Sequence, residues 1–180
     1  YNVLLGYSAG NDLTSTTGSV AIGALALATE DTATGNTAIG HEALRYNNST
    51  SGENTAVGYQ AGVAMTTGSY NTLLGAKAGD ALTTGAKSVA IGAYALSAED
   101  AGSSNVAIGF EALKDLDAGA DAGTVAIGYK AGENMTTGVG NVVIGGNAGD
   151  AMLTSSYSVA IGLNSLGAED AGDNNTAIGY

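Results

Sequence analysis

The sequence predicts an all-β protein, a parallel β-solenoid of about ten 17-residue coils, and three observations predict it. A motif of the form (Asn/Ser)-(Val/Thr)-Ala-Ile-Gly recurs, as NTAIG at 36–40 and 175–179, SVAIG at 88–92 and NVAIG at 105–109. The glycines that close its copies, Gly6, Gly23, Gly40, Gly58, Gly75, Gly92, Gly109, Gly128, Gly145, Gly162 and Gly179, lie 17 residues apart, with single steps of 18 and 19. The 180 residues include 29 glycines and no proline, cysteine or tryptophan. A short fixed period is the mark of a stacked repeat, and glycine at this density opposes helices, at about 1 kcal/mol per interior glycine relative to alanine. The array leaves nothing outside it, so residues 1–180 form one solenoid domain.

Each position of the unit has its own chemistry. Before the glycine stands Ile, Leu or Val, and two residues earlier a β-branched Val or Thr in every copy. Those two share one face of an extended strand, because side chains alternate across it. The other face carries Asn, Ser or Thr, then a small Ala, except at Leu4, Leu73 and Val143, then the glycine. A strand buried on both sides is the expectation. Ile22, Ile39, Ile91, Ile108, Ile127, Ile161 and Ile178 are its expected core, and Gly23, Gly40, Gly92, Gly109 and Gly128 mark a close-packing face.

After the glycine each unit reads x-x-(Ala/Ser)-(Leu/Gly). Where the last position is Leu27, Leu44, Leu96, Leu113 or Leu166, that leucine anchors the coil. Where it is Gly10, Gly62, Gly79, Gly132 or Gly149, an anchor follows three residues later, as Leu13, Met65, Leu82, Met135 or Met152. One large anchor per coil by either route implies stacked coils around a continuous interior. The two types alternate Gly, Leu, Leu, Gly, so the chain repeats every four coils. The remaining segments, such as MTTGSYN at 65–71, are small, polar and glycine-rich, as turns are.

At about 4.8 Å per coil, ten coils make a rod on the order of 50 Å long. With about three medium apolar side chains per coil the interior is thin. The Ala/Gly face then calls for a partner, and association of three chains along it is the expected state.

The tandem motif (Asn/Ser)-(Val/Thr)-Ala-Ile-Gly-x-x-Ala, with its short glycine-rich spacers, resembles the YadA-like head repeats of trimeric autotransporter adhesins. It is also similar to the NTAIG-type repeats of phage tail fibres and bacterial surface fibres. The resemblance spans essentially all 180 residues. It implies a left-handed β-roll, a homotrimer, and a structural rod in an extracellular fibre at a cell surface or on a virion. It further implies that the motif isoleucines fill the roll and the trimer core, and that the partners are the chain itself and a surface receptor or glycan. Because the chain opens on YNVLLG and stops on NTAIGY, both mid-coil, the expectation is a window of a longer fibre protein. A subunit that adds end to end into a filament is the alternative.

The net charge of −12, with only five Lys and Arg, disfavours nucleic acid and anionic lipid surfaces. No apolar run reaches the roughly 18 residues of a membrane-spanning helix, so no membrane insertion by this segment is expected. One histidine, no cysteine and no insertion long enough to form a pocket argue against an enzyme, and neither catalytic residues nor a cofactor are expected. The pairs Glu30-Asp31, Glu99-Asp100 and Glu169-Asp170 are weak calcium candidates. Adjacent carboxylates alone supply too few oxygen ligands, so a solvated acidic turn is the expected role. Asn47, Asn48, Asn134 and Asn174 begin Asn-x-(Ser/Thr) sequons that permit glycosylation. Tyr59 next to His41 and Tyr129 next to Phe110 in adjacent coils suggest rung-to-rung aromatic stacking, with sugar binding as the alternative. Threonine-rich turns such as TSTTGS at 14–19 raise a monomeric ice-binding solenoid as a further alternative, although a strict Thr-x-Thr rung is not kept.

Overall fold

The computed structural model describes residues 1–180 except 30, 33, 50, 120, 121 and 169–171. Eleven strands of three residues each, from β1 (Val3–Leu5) to β11 (Thr176–Ile178), form one parallel sheet in sequential order. The register is fixed by the motif. Between β6 (Val89–Ile91) and β7 (Val106–Ile108), Val89 pairs with Val106, Ala90 with Ala107 and Ile91 with Ile108. Strand-to-strand steps of one coil make this a β-solenoid, with about ten turns between the eleven strands.

Hydrogen bonds join consecutive coils well beyond the strands. The Lys77 N–H donates to the Tyr59 carbonyl at 2.8 Å, and the Leu96 N–H to the Ala112 carbonyl at 3.0 Å. A backbone paired to its neighbour at several points around each coil leaves few polar groups to be satisfied otherwise.

The two faces of the strand are reversed from the sequence expectation. Ala21, Ala38, Ala90 and Ala107, at the strand centres, are fully buried. The motif isoleucines point outward: Ile22, Ile39, Ile91, Ile108 and Ile161 are half-buried, and Ile127 and Ile178 are exposed. The strand is therefore buried on one side, and these seven isoleucines are not the core of the single chain. The physical reason is the narrowness of the coil. Its interior is filled by one anchor per coil, Leu27, Leu44, Met65, Leu82, Leu96, Leu113, Met135 or Met152, joined in some coils by a second buried side chain such as Leu73, Glu99 or Leu116, and only a methyl group fits opposite most of the anchors.

The exceptions follow the same rule. Leu4, Leu73 and Val143 replace the central alanine only in coils whose facing position is glycine. A Cβ built on Gly10 would lie 2.7 Å from Leu4 Cδ2, one on Gly79 2.9 Å from Leu73 Cδ2, and one on Gly149 3.0 Å from Val143 Cγ1. The facing position is left-handed in both kinds of coil, with φ +49° at Leu113 and +60° at Gly132. A non-glycine residue there costs about 1–2 kcal/mol, which burial of the whole leucine side chain offsets.

The close-packing expectation for Gly23, Gly40, Gly92, Gly109 and Gly128 holds, but with a different partner. A Cβ on each would collide with the carbonyl of the motif glycine one coil on: Gly23 with Gly40, Gly40 with Gly58, Gly92 with Gly109, Gly109 with Gly128, and Gly128 with Gly145. These residues pack along the rod axis against the next coil of the same chain.

Just before each strand runs a buried polar ladder. The Asn71 Oδ1 accepts the Ser88 N–H at 2.9 Å, and its Nδ2 donates to the Gly85 carbonyl at 2.9 Å. Asn54, Asn105 and Asn141 accept in the same way from Asn71, Thr124 and Ser158. Asn71→Ala strands the Ser88 N–H and the Gly85 carbonyl in the interior, at about 1–3 kcal/mol. Thermal melting should show that loss. Asn71→Ser should recover part of it, since Ser88 and Ser158 accept the same backbone bond in their own coils.

Candidate functional site

The corner that follows each strand carries the most diverse chemistry of the molecule. The motif glycine turns the chain, the next two residues face outward, and the following Ala and Leu or Gly turn in. Residues one, two and five positions after the glycine thus stack in three outward columns. Within them lie four of the five Lys and Arg residues, Arg45, Lys77, Lys114 and Lys130.

Rings stack in the first column. His41 and Tyr59 are parallel at 5.5 Å between centroids, and Phe110 and Tyr129 at 5.7 Å. Tyr94, from the second column, meets Phe110 edge-on at 6.4 Å. The expected rung-to-rung stacking is therefore present, with Tyr59, Phe110 and Tyr129 still exposed.

Charges bridge the second and third columns. Glu42 pairs with Arg45 and accepts the Gln60 amide at 2.7 Å. Those contacts, the Gln60 bond first, hold the Glu42 carboxyl below the usual glutamate range. Lys130 Nζ lies 3.1 Å from both Glu111 and Glu133, and Lys114 reaches Glu133 at 3.6 Å. The hydrogen bond from Lys130 lowers the Glu111 carboxyl, while Glu111 and Glu133 raise the Lys130 ammonium. Such pairs at the surface contribute little stability. Their effect is to fix the positions of exposed donors and acceptors along one side of the rod.

The other predicted residues are scattered. Glu30, Glu169 and Asp170 lie outside the described residues. Asp31 is exposed and accepts the Thr14 hydroxyl at 2.5 Å. In the remaining pair the carboxylates diverge: Glu99 turns into the interior, where it accepts the Gly102 N–H at 2.7 Å and the Asn105 Nδ2 at 3.3 Å, whereas exposed Asp100 accepts the Thr83 hydroxyl. Two divergent carboxylates do not chelate one cation. Among the described residues, no group of three or more His, Cys, Asp or Glu side chains forms a metal site. Of the sequon residues, Asn48, Asn134 and Asn174 are exposed, but Asn47 is fully buried and so withdrawn from a modifying enzyme.

The interior position of Glu99 differs from the expected acidic surface turn. It stands three residues after Leu96, at the level that Met65 and Leu82 occupy in other coils. Burial raises its carboxyl above the ordinary 4.5, with Asp117 and Asp100 adding to the rise and the Gly102 and Ala118 N–H groups opposing it. A raised folded-state value means that the protonated form is favoured on folding. Its contribution is full below 4.5 and is lost as the pH climbs through the raised value. Glu99→Gln should therefore be more stable than the parent at neutral pH, and the difference should shrink on acidification. Urea melts at about pH 4 and about pH 7, on either side of the ordinary carboxylate range, check this.

No family model, curated protein or solved structure matches this chain. Among the described residues no helix is long and apolar enough to cross a membrane.

Proposed function

We propose that this chain is the structural rod of an extracellular fibre, of the adhesin-head or tail-fibre kind, which associates with itself and presents a lateral binding surface. One observation carries the reading. The outer face of the sheet is two unbroken columns, Val or Thr and Ile, Leu or Val, without a single charged residue, on a chain whose net charge is −12. Leu5, Leu74, Ile127 and Ile178 are exposed on it.

An uncharged, largely apolar strip on the order of 50 Å long is an interaction surface. Self-association suits it, because a closed symmetric oligomer covers the same strip on every copy. Three chains around this face, in place of the Ala/Gly face first expected, agree with the resemblance to trimeric adhesin heads. The charged and aromatic corner then stays outside, open to a receptor. The structural role is supported by repetition, because each coil adds one rung of length.

Light scattering of the purified chain tests the reading. The expected molar mass is three times the 17.4 kDa of one chain, and a single-chain mass would count against it. A second reading, a monomeric ice-binding solenoid, is favoured by Thr37, Thr55 and Thr72, which occupy three successive rungs of the same face. Inhibition of ice growth by a monomer would support that reading.

A further inference from the structure

Three coils carry an acidic residue at the fifth position after the motif glycine, Asp80, Glu133 and Asp150. The first two are matched by cations. Asp80 lies 3.9 Å from Lys77, and Glu133 lies 3.1 Å from Lys130 and 3.6 Å from Lys114. In the coil of Asp150 the residue that corresponds to Lys77 and Lys130 is the neutral Asn147. The Asn134 Nδ2 donates to the Asp150 Oδ1 at 2.9 Å and to its carbonyl at 3.0 Å. Among the described residues no cation pairs with Asp150, nor with Asp115 two rungs before it.

Both of these carboxylates line one cleft of about 570 Å³. Three successive coils build it: Asp115 from the first, Asn134 and Thr136 from the second, and Asp150, Ala151 and Leu153 from the third. The Thr136 hydroxyl donates to the Leu153 carbonyl at 2.9 Å and ties the second coil to the third. Leu153 stands where Thr66, Thr83 and Thr136 stand in their own coils, and it is 40% exposed. The cleft thus joins two unpaired carboxylates to an apolar patch, and none of the five Lys and Arg residues lines it.

We propose that this cleft binds alkyl-ammonium groups, as carried by a linear polyamine or by the lysine side chains of a partner. An ammonium group donates three hydrogen bonds and accepts none. It meets acceptors alone here: the two carboxylates, and the Asn134 Oδ1, which is left to accept once its Nδ2 is bound to Asp150. Charge-assisted bonds of this kind are roughly twice as strong as neutral ones. The methylene stem packs on Leu153 and Ala151, as long cationic side chains do on apolar surface. Asn134 and Thr136 are already held by hydrogen bonds, so they lose little freedom on association. The net charge of −12 draws cations to the whole rod. The missing ion pair beside an apolar patch is what selects this place and an organic cation. No residue of the cleft belongs to the sheet, so a single-chain mass would overturn the trimer and leave the cleft standing.

The test is an NMR titration of the whole chain, labelled in its leucine methyl groups, at about 150 mM salt, which screens diffuse attraction to the net charge. Spermidine and tetralysine are the amine probes, and Mg²⁺ is the cation without a stem. The expected result is that at least one amine shifts the Leu153 methyl signals with a dissociation constant on the order of 1 mM. Which of the two does so distinguishes a free polyamine from a protein lysine. Asp150→Asn should weaken binding at least tenfold. Glu53→Gln, which removes the same charge from an exposed side chain several coils away, should change it less than twofold. The proposal is overturned if neither amine shifts Leu153 at roughly 10 mM. It is equally overturned if Mg²⁺ shifts Leu153 as strongly as the amines, or if Asp150→Asn weakens binding no more than Glu53→Gln does.

Discussion

Gly109→Val is expected to unstack the rod between the coils that hold Gly109 and Gly128, at a cost of about 4 kcal/mol or more. Two independent effects coincide there. The backbone has φ +139°, a conformation that glycine adopts freely and a β-branched residue does not. The added Cβ would also be driven into the Gly128 carbonyl, which belongs to the backbone of the next coil and cannot rotate away. In a solenoid each coil is stabilised by its neighbours, so the defect should divide the rod into two segments before either unfolds. The measurement is circular dichroism melting with limited proteolysis, which should show a lower melting temperature and a new cut near residue 109. Gly18→Asn is the matching control. That glycine also has positive φ, +74°, but nothing lies within 4 Å of its Cβ position, and asparagine tolerates the conformation. The expected cost there is below about 0.5 kcal/mol.

Leu113→Ala is expected to cost about 2–5 kcal/mol, the range for emptying a fully buried leucine site. Alanine keeps the left-handed strain at φ +49° and loses the side chain that offsets it. Ile108→Ala is the informative comparison, because Ile108 belongs to the same coil but lies on the outer face of the sheet. In an isolated chain the half-buried Ile108 should cost only about 1 kcal/mol. In an oligomer covered along that face its cost should rise toward the core value, and become dependent on protein concentration. Chemical melts of both variants at two concentrations separate the inner from the outer column.

The coil itself was legible in the sequence because a motif glycine every 17 residues has to stack on its neighbour, and it does so from Gly6 onward. The anchor rule was legible for a related reason, and Leu27, Met65 and Leu113 are buried as the two-route pattern requires. The polarity of the strand was not. Three residues give one side chain on one face and two on the other, and hydrophobicity favoured the pair Val89 and Ile91 over the lone Ala90. The deciding signal was volume complementarity across the coil, since Leu4, Leu73 and Val143 occur opposite Gly10, Gly79 and Gly149.

The candidate site was partly legible. The aromatic pairs could be placed in neighbouring coils from the period alone. The charged strip could not, because Lys77 and Asp80, or Lys130 and Glu133, become neighbours only once the two residues between them are known to turn inward. Glu99 reads as half of an acidic surface pair because it adjoins Asp100, whereas the anchor spacing from Leu96 marks its level as interior.

The central claim is that chains meet along the outer sheet face, and the absence of cysteine from the sequence allows a direct test. A single cysteine is introduced as Ile91→Cys on that face or as Tyr157→Cys away from it, and each protein is treated with a short bis-maleimide. The account predicts covalent dimers from Ile91→Cys and none from Tyr157→Cys on a denaturing gel. No cross-link at position 91, or an equal yield at both positions, would contradict it.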